Sequence, residues 1–305
     1  GRLFAIGSHD RTIRIFDVDS GEPVGPILRA EARVNAMAFS PDGRFLVAGG
    51  EVGYQQGEHS RVSRFDLVPG REKKLPIEVP DDVWVESIAF ARDGETFLVG
   101  GQERQGRAGA WLCRTNTGKR LGFVPVPSAE THRCQVAART DGPGYVLACS
   151  GENSSIHVAA YDGVNASPWV EVDRAQHKTT IMFRVPDRLV VSDGKGIRCY
   201  EIPGGKPVVN FPRLGGTSWR AESPDGRFRA GGTVNSAVSV PGPLRLWDAT
   251  TGIVAALIAP DDSYQKVAFS PDGRGLLAAS EGGTIRLWDL AKPSPRPAEE
   301  SESSA

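Results

Sequence analysis

Short apolar runs separated by turn-forming residues recur along the whole chain, and the clearest example lies near its end. Between Tyr264 and Leu290 the runs VAF, GLLAAS and TIRLWDL are separated by Ser-Pro-Asp-Gly and by Glu-Gly-Gly. Apolar runs of this length between Pro, Asp and Gly residues predict three antiparallel strands joined by tight turns. In the first turn, Pro271 presets the backbone and Gly273 supplies a positive φ.

The same pattern repeats upstream at a nearly fixed period. An aromatic residue followed by an acidic residue marks the end of most third strands, and Cys113-Arg114 fills the one remaining position. The pairs are Phe16-Asp17, Phe65-Asp66, Tyr161-Asp162, Tyr200-Glu201, Trp247-Asp248 and Trp288-Asp289. Their spacings of about 39 to 49 residues are close to the length of a four-stranded propeller blade. A glycine closes the turn that follows at Gly21, Gly70, Gly118, Gly204 and Gly252.

These repeats resemble those of the WD40 family over essentially all of residues 1–290. The resemblance implies an all-β fold, a seven-bladed β-propeller. The Pro-rich and then acidic tail at residues 291–305 is expected to be disordered. One family feature is absent, because no Gly-His dipeptide precedes an inner strand and Ala30 stands where the first such His is expected. The family's buried network of His, Ser/Thr, Trp and Asp therefore cannot form in its usual shape.

The strand count predicts that this chain lacks two strands. It contains seven second strands and seven third strands but six inner and six outer strands. The first blade therefore lacks its inner strand and the last blade lacks its outer strand. An inner strand of the VAF type buries three large apolar side chains, each contributing about 1.5 to 3 kcal/mol. We expect both absent strands to lie upstream of Gly1.

A chain extended by roughly 20 to 25 upstream residues should melt at a higher temperature, because the added strands would complete the last blade and close the ring. Circular dichroism melts of the two chains compare them directly. Equal melting temperatures would contradict the expectation.

The longer repeats place their extra residues in one kind of turn. In the second, third and sixth repeats the excess lies between the second and third strands, at residues 51–60, 102–107 and 233–242. In a propeller this turn lies on the same face as the connection into the next inner strand. Insertions confined to one face often mark a binding face, although tolerated surface loops are the alternative.

Two of these insertions belong to adjacent blades, and the connection at residues 81–84 is expected to rise beside them. Aromatic residues ringed by Arg and Asp are typical of interface hot spots. Since Trp84 directly precedes an inner strand, it is alternatively a core residue. The candidate partner-binding residues are Tyr54, Gln55, His59, Asp81, Asp82, Trp84, Arg104 and Arg107.

The length and net charge of the chain narrow the classes of partner that it is expected to bind. The chain has 305 residues and a formal net charge of -1, so neither nucleic acid nor a membrane surface is a predicted partner. No apolar run approaches the roughly 20 residues that span a bilayer, and no signal-peptide pattern opens the chain. We expect a cytoplasmic protein.

The four cysteines show no C-x-x-C pair and no His at zinc-like spacing, which favours buried thiols in a reducing compartment. Counting outward from the turn at Asp141-Gly142 places Cys134 opposite Cys149 on a neighbouring strand. The spacing allows a disulfide, but two facing thiols are the expected state.

The sequence contains no recognisable catalytic or cofactor-binding pattern. The five histidines are dispersed, and no His-Glu-x-x-His, G-x-S-x-G or P-loop occurs. The Asp81-Asp82 pair recurs as Asp261-Asp262, which indicates a turn preference rather than a metal site. No cofactor is predicted, and the resemblance implies a non-catalytic scaffold for protein partners.

Two further functions stay open. The run GEPVGPILR before ARVNAMAFSPDGR resembles propellers at the C-terminal ends of bacterial serine/threonine kinases and signalling ATPases. That likeness implies a substrate-recruiting or sensor domain with a catalytic domain upstream. A propeller enzyme of the lactonase or peptidase type needs polar residues where the inner strands begin, and Val34, Val85 and Tyr264 argue against it.

Overall fold

The computed structural model shows a chain built from strands. It contains 26 strands and no helix in the part of the chain that it describes. The structure describes residues 3–51, 62–68, 74–75, 77–104, 107–127, 131–139, 143–151, 155–174, 180–184, 188–193, 196–202, 204–212, 217–223, 225–234, 241–248, 254–259, 264–270, 272–280 and 284–290. Within these ranges, no helix is present that could cross a membrane.

The chain divides into two compact units, and the first, residues 1–212, contains five antiparallel sheets. In every sheet the strands pair in chain order, so each sheet is a meander. Sheet 1 consists of β1 Leu3–Gly7, β2 Thr12–Asp17 and β3 Leu28–Arg29. Sheet 2 consists of β4 Ala36–Phe39, β5 Phe45–Gly49, β6 Ser63–Asp66 and β7 Lys74–Leu75. Sheet 3 consists of β8 Val83–Phe90, β9 Thr96–Glu103, β10 Ala108–Arg114 and β11 Arg120–Pro125. Sheet 4 consists of β12 Thr131–Ala138, β13 Tyr145–Gly151, β14 Ser155–Tyr161 and β15 Val170–Arg174. Sheet 5 consists of β16 Thr180–Arg184, β17 Arg188–Asp193, β18 Gly196–Glu201 and β19 Lys206–Pro212.

The second unit, residues 213–305, contains two sheets. Sheet 6 consists of β20 Thr217–Glu222, β21 Phe228–Val234, β22 Pro241–Asp248 and β23 Val254–Ala259. Sheet 7 consists of β24 Tyr264–Phe269, β25 Gly275–Ser280 and β26 Ile285–Asp289. The predicted tail at residues 291–305 lies outside the described residues.

The order of the strands confirms where each repeat was expected to begin and end. Sheets 1 and 7 have three strands and the other five have four. Sheet 1 begins with a second strand, and sheet 7 ends with a third strand. The repeated acidic residue pairs with the first residue of the second strand, as in Leu3 with Asp17 and Gly275 with Asp289. This pairing holds in sheets 1, 2, 5, 6 and 7, whereas Arg114 takes the position in sheet 3 and Tyr161 takes it in sheet 4.

The Ser-Pro-Asp-Gly turns work through side-chain hydrogen bonds. Phe45 N–H donates to Ser40 Oγ at 2.8 Å, and the Ser40 hydroxyl donates to the Asp42 carboxylate. The same carboxylate accepts Arg44 N–H at 3.0 Å. Gly43 adopts a φ of 70°, the left-handed conformation that the turn requires. The arrangement recurs at Ser223 with Asp225 and at Ser270 with Asp272.

Replacing Ser40 with Ala should destabilise the protein by about 1 to 3 kcal/mol, since the buried Phe45 N–H loses its acceptor. Urea unfolding at pH 7 measures this loss. Ser20→Ala is the control, because Ser20 bonds within an exposed turn. An effect no larger than that of Ser20→Ala would contradict the role given to Ser40.

The same substitution should weaken the pH dependence. The Ser40 hydroxyl, and then Arg44 N–H, lower the pKa of Asp42 in the folded protein. The resulting stabilisation is complete above the unfolded pKa of about 3.9 and is lost as the pH falls through the lower folded value. Unfolding midpoints measured from pH 7 down to pH 2 should therefore fall less steeply in Ser40→Ala than in the parent.

Sheets within each unit pack face to face through alternate side chains. Val47 of sheet 2 packs with Val85, Val99 and Trp111 of sheet 3, all fully buried. Equivalent clusters join sheet 1 to sheet 2, sheet 3 to sheet 4, sheet 4 to sheet 5, and sheet 6 to sheet 7. The core of each unit therefore lies between neighbouring sheets.

Two polar side chains also link neighbouring sheets. Ser87 of β8 accepts Val136 N–H at 2.8 Å and donates to the Cys134 carbonyl at 3.3 Å. Arg64 of β6 is buried, donates to the Thr115 carbonyl, and lies 5.4 Å from the centre of the Phe45 ring. Burial lowers the pKa of Arg64. Sheet 3 is thus tied to both of its neighbours by hydrogen bonds as well as by apolar packing.

The cysteines confirm the expected pairing and state. Cys134 lies directly opposite Cys149 in the β12–β13 ladder, and both are free thiols. Cys113 and Cys199 are also free, and all four are buried. Burial raises the pKa of Cys113 and of Cys149 to about 12.

The folded protein should therefore resist thiol reagents, because the thiolate is the reactive form and burial suppresses it. With Ellman's reagent at pH 8, we expect no rapid reaction in buffer and four thiols in guanidinium chloride. Two thiols in guanidinium would reveal a disulfide, and rapid native reaction would contradict the burial.

Candidate functional site

The structure describes five of the eight predicted partner-binding residues. Tyr54, Gln55 and His59 lie outside the described residues. The five that are described belong to sheet 3 or to the chain that leads into it. They are Asp81, Asp82, Trp84, Arg104 and Arg107.

Three of these residues meet at one end of sheet 3. Trp84 pairs with Gln102 across β8 and β9, and Arg104 N–H donates to the Asp82 carbonyl at 3.2 Å. Val85 N–H donates to the Gly50 carbonyl at 3.2 Å. That bond places this end of sheet 3 beside the chain that leaves β5 for the insertion at residues 51–60.

Trp84 is an exposed residue, so the alternative that places it in the core is wrong. Its side chain is 46% exposed, whereas Val83 and Val85 are 0% exposed. Successive side chains of a strand point to opposite faces. Val83 and Val85 enter the cluster with sheet 2, and Trp84 therefore lies on the other face of β8.

The insertion predicted at residues 102–107 is shorter than expected. Gln102 and Glu103 belong to β9, and Glu103 N–H donates to the Arg107 carbonyl at 3.0 Å. Part of the extra sequence therefore lengthens the hairpin instead of forming a loop. The third insertion differs in the same way, since β21 extends to Val234 and β22 begins at Pro241.

Arg107 is held along the hairpin. Its guanidinium lies 3.2 Å from the Glu103 carboxylate and 5.1 Å from the centre of the Phe123 ring. The side chain still exposes 65% of its surface. Arg107 therefore lies on the leg of the hairpin that faces β11, while Arg104 lies beside Asp82.

A pocket of about 300 Å³ opens beside the predicted residues. It lies where β6 begins and β7 ends, which is the same end of sheet 2 that carries the insertion at residues 51–60. Its described lining residues are Glu31, Val62, Lys74, Leu75, Ile77, Val79 and Asp81. Of these, only Asp81 was predicted from sequence, because the others come from segments with no shared motif.

The pocket wall is held by hydrogen bonds on two sides. Glu31 N–H donates to Ser63 Oγ at 3.3 Å, and the Glu31 carboxylate pairs with the Lys74 ammonium. On the other side, Glu78 N–H donates to the Gly118 carbonyl at 2.9 Å, and the Glu78 carboxylate accepts Arg120 N–H at 3.1 Å. The segment that carries Ile77, Val79 and Asp81 is thereby anchored to sheet 3.

Two tyrosines have raised pKa values because they lie in the cores between sheets. Burial raises the pKa of Tyr145 and brings that of Tyr200 to about 12, and both rings lie in the clusters between sheets. Among the described residues, no group of three or more His, Cys, Asp or Glu side chains is placed to hold a metal ion. What the described surface offers is an exposed indole, charged side chains and a small pocket.

Comparisons with known proteins define the class of fold first. The Cps50 (Swd1) β-propeller domain of Myceliophteria thermophila has a TM-score of 0.70 at 16% identity, covering 94% of this chain and 93% of that one. Hydrazine synthase of Kuenenia stuttgartiensis has a TM-score of 0.74 at 15% identity, covering 95% and 93%. The fold is a β-propeller.

The repeated sequence also matches a family model. The family model for the WD domain, G-beta repeat (WD40) matches residues 23–51 and 254–289. Each match runs from the outer strand of one sheet into the following sheet. Nuclear distribution protein nudF 2 of Penicillium rubens is 26% identical over 119 residues, which is 34% of this chain and 26% of that protein. Two stretches of this chain therefore match the WD40 repeat, and its fold is similar to that of the Swd1 β-propeller domain.

Proposed function

We propose that this protein is a non-catalytic scaffold that binds a protein partner at the insertion-bearing end of sheets 2 and 3. The observation that carries the proposal is the exposed Trp84, held by strand pairing beside Asp82 and Arg104. Trp and Arg dominate interface hot spots, and a backbone that is fixed before binding loses little entropy.

The surroundings of Trp84 favour a protein partner. The strand that carries Trp84 is bonded to β9, and Val85 N–H bonds to Gly50 of sheet 2. An aromatic residue flanked by an Arg and acidic residues matches the composition of protein interfaces. The predicted residues Tyr54, Gln55 and His59 would extend the surface, since the insertion that contains them follows Gly50.

The fold does not itself separate a scaffold from an enzyme. WD40 proteins typically bind proteins, whereas hydrazine synthase, which shares the fold, is by name an enzyme. We favour the scaffold because the tyrosines with raised pKa values, Tyr145 and Tyr200, lie between sheets rather than in a cleft. The four buried thiols fit a reducing, cytoplasmic location.

A combined Trp84→Ala and Arg104→Ala variant tests the proposal. Partners are first captured with the parent protein, and the dissociation constant of a purified partner is then measured by calorimetry. Loss of two hot-spot side chains should raise it by roughly 30-fold or more, at about 2 kcal/mol for the stronger of the two. The melting temperature should stay close to that of the parent, since neither side chain is buried.

The matched control combines Arg92→Ala with Val164→Ala. Arg92 lies in the turn at the opposite end of sheet 3, and Val164 is 82% exposed on sheet 4. The control should bind like the parent. Equal binding by the two double variants would place the partner site elsewhere.

A second candidate is a substrate-recruiting or sensor domain of a bacterial serine/threonine kinase or signalling ATPase. It is favoured by the likeness of the repeat that contains GEPVGPILR to the propellers of such proteins. The gene sequence upstream of Gly1 tests it, because a kinase Gly-rich loop or a P-loop would be evident there.

A further inference from the structure

The pocket beside Asp81 combines an aliphatic wall with a charged rim. Val62, Leu75, Ile77 and Val79 supply the apolar part of the lining. Glu31, Asp81 and Lys74 supply two carboxylates and one ammonium, a formal charge of -1 on the lining. Its volume of about 300 Å³ is at the lower limit of ligand pockets, which suits one long side chain better than a cofactor.

We propose that this pocket receives an arginine or lysine side chain from a peptide segment of the partner. The inference rests on the proposed function and names the chemistry of the segment that would dock beside Trp84. The aliphatic stem of such a side chain packs along Ile77 and Val79, and its cationic head reaches the carboxylates at the rim.

The charges of the lining select a cation over the other classes of side chain. An acidic head would meet two carboxylates and a lysine that already pairs with Glu31. A purely apolar side chain would displace water from the charged rim and bring neither a charge nor a hydrogen-bond donor to it. Arginine should bind more tightly than lysine, because the guanidinium is more weakly hydrated and can bond a carboxylate through two N–H groups.

The anchoring of the wall lowers the entropy that is lost when a side chain enters the pocket. The segment from Ile77 to Asp81 is bonded to sheet 3 through Glu78, and the Glu31 segment is bonded to Ser63. A wall that is fixed in advance does not lose entropy when the side chain enters. The Asp82 carbonyl bonds Arg104 N–H, so the occupied pocket would adjoin the surface around Trp84.

Three capped tripeptides serve as probes, acetyl-Gly-Arg-Gly-amide and its norleucine and glutamate counterparts. Their affinities for the whole chain are measured by ligand-observed NMR titration at low salt. We expect millimolar binding of the arginine peptide, at least fivefold weaker binding of the norleucine peptide, and no saturable binding of the glutamate peptide. Equal binding of all three would overturn the proposal.

Two variants localise the effect. Asp81→Asn removes a rim charge with little change in shape, and Val79→Thr places a hydroxyl in the apolar wall. Each should weaken the arginine peptide at least fivefold. The matched control is Glu95→Gln, which removes one negative charge at the opposite, exposed end of sheet 3 and should leave the affinity unchanged. Equal losses in Asp81→Asn and Glu95→Gln would show general attraction to an acidic surface and overturn the pocket.

The outcomes also separate this inference from the function on which it rests. If Trp84→Ala with Arg104→Ala loses the partner while the pocket variants bind the arginine peptide like the parent, the scaffold stands and the pocket assignment fails. If the pocket variants lose the peptide while the double variant keeps the partner, the pocket is a peptide site. The assignment of partner binding to the surface around Trp84 is then wrong. A melt of each variant excludes unfolding as the cause of lost binding.

Discussion

The structure depends on packing each sheet against a neighbour, because every sheet is too small to be stable alone. A three- or four-stranded sheet of short strands has little apolar surface of its own, and it gains stability only by packing on a neighbour. Here the packing is carried by alternate side chains of consecutive sheets, such as Val47 against Val99 and Trp111. Every sheet must therefore repeat the same alternation, and this requirement is the physical origin of the repeat in the sequence.

An apolar residue stands where the first histidine of a WD40 repeat is expected. Ala30, which replaces the first expected histidine, is buried in the apolar cluster between sheets 1 and 2. The serines of the Ser-Pro-Asp-Gly turns satisfy a backbone N–H five residues away, as Ser40 does for Phe45. Ser87 joins sheet 3 to sheet 4. Local hydrogen bonds to small hydroxyl groups thus stabilise the turns and join neighbouring sheets.

A binding surface can lie at this end of sheets 2 and 3 because hydrogen bonds fix the backbone there. The ladders, the anchored segment around Glu78 and the bond from Val85 to Gly50 fix the backbone there. Some of the side chains that project from this backbone enter the core, and others lie on the surface. Trp84 shows the division most clearly, since its two neighbours in β8 are fully buried and it is exposed. The side chain at such a position can change without lowering the stability of the fold.

The sequence by itself determined the strand order, the phase of the repeat, the three described strands of the first and last sheets, and the facing positions of Cys134 and Cys149. These follow from local periodicity and turn chemistry, which act over a few residues. One turn differs from the prediction, because the positive φ after the third strand of sheet 5 belongs to Gly205 and not to Gly204. Only the tertiary structure decided that Trp84 is exposed, that Gln102 and Glu103 extend β9, and that Glu31, Lys74 and Val79 line one pocket with Asp81. The reason is physical: exposure and pockets depend on which segments meet in space, and residues as distant as Glu31 and Asp81 share no pattern along the chain.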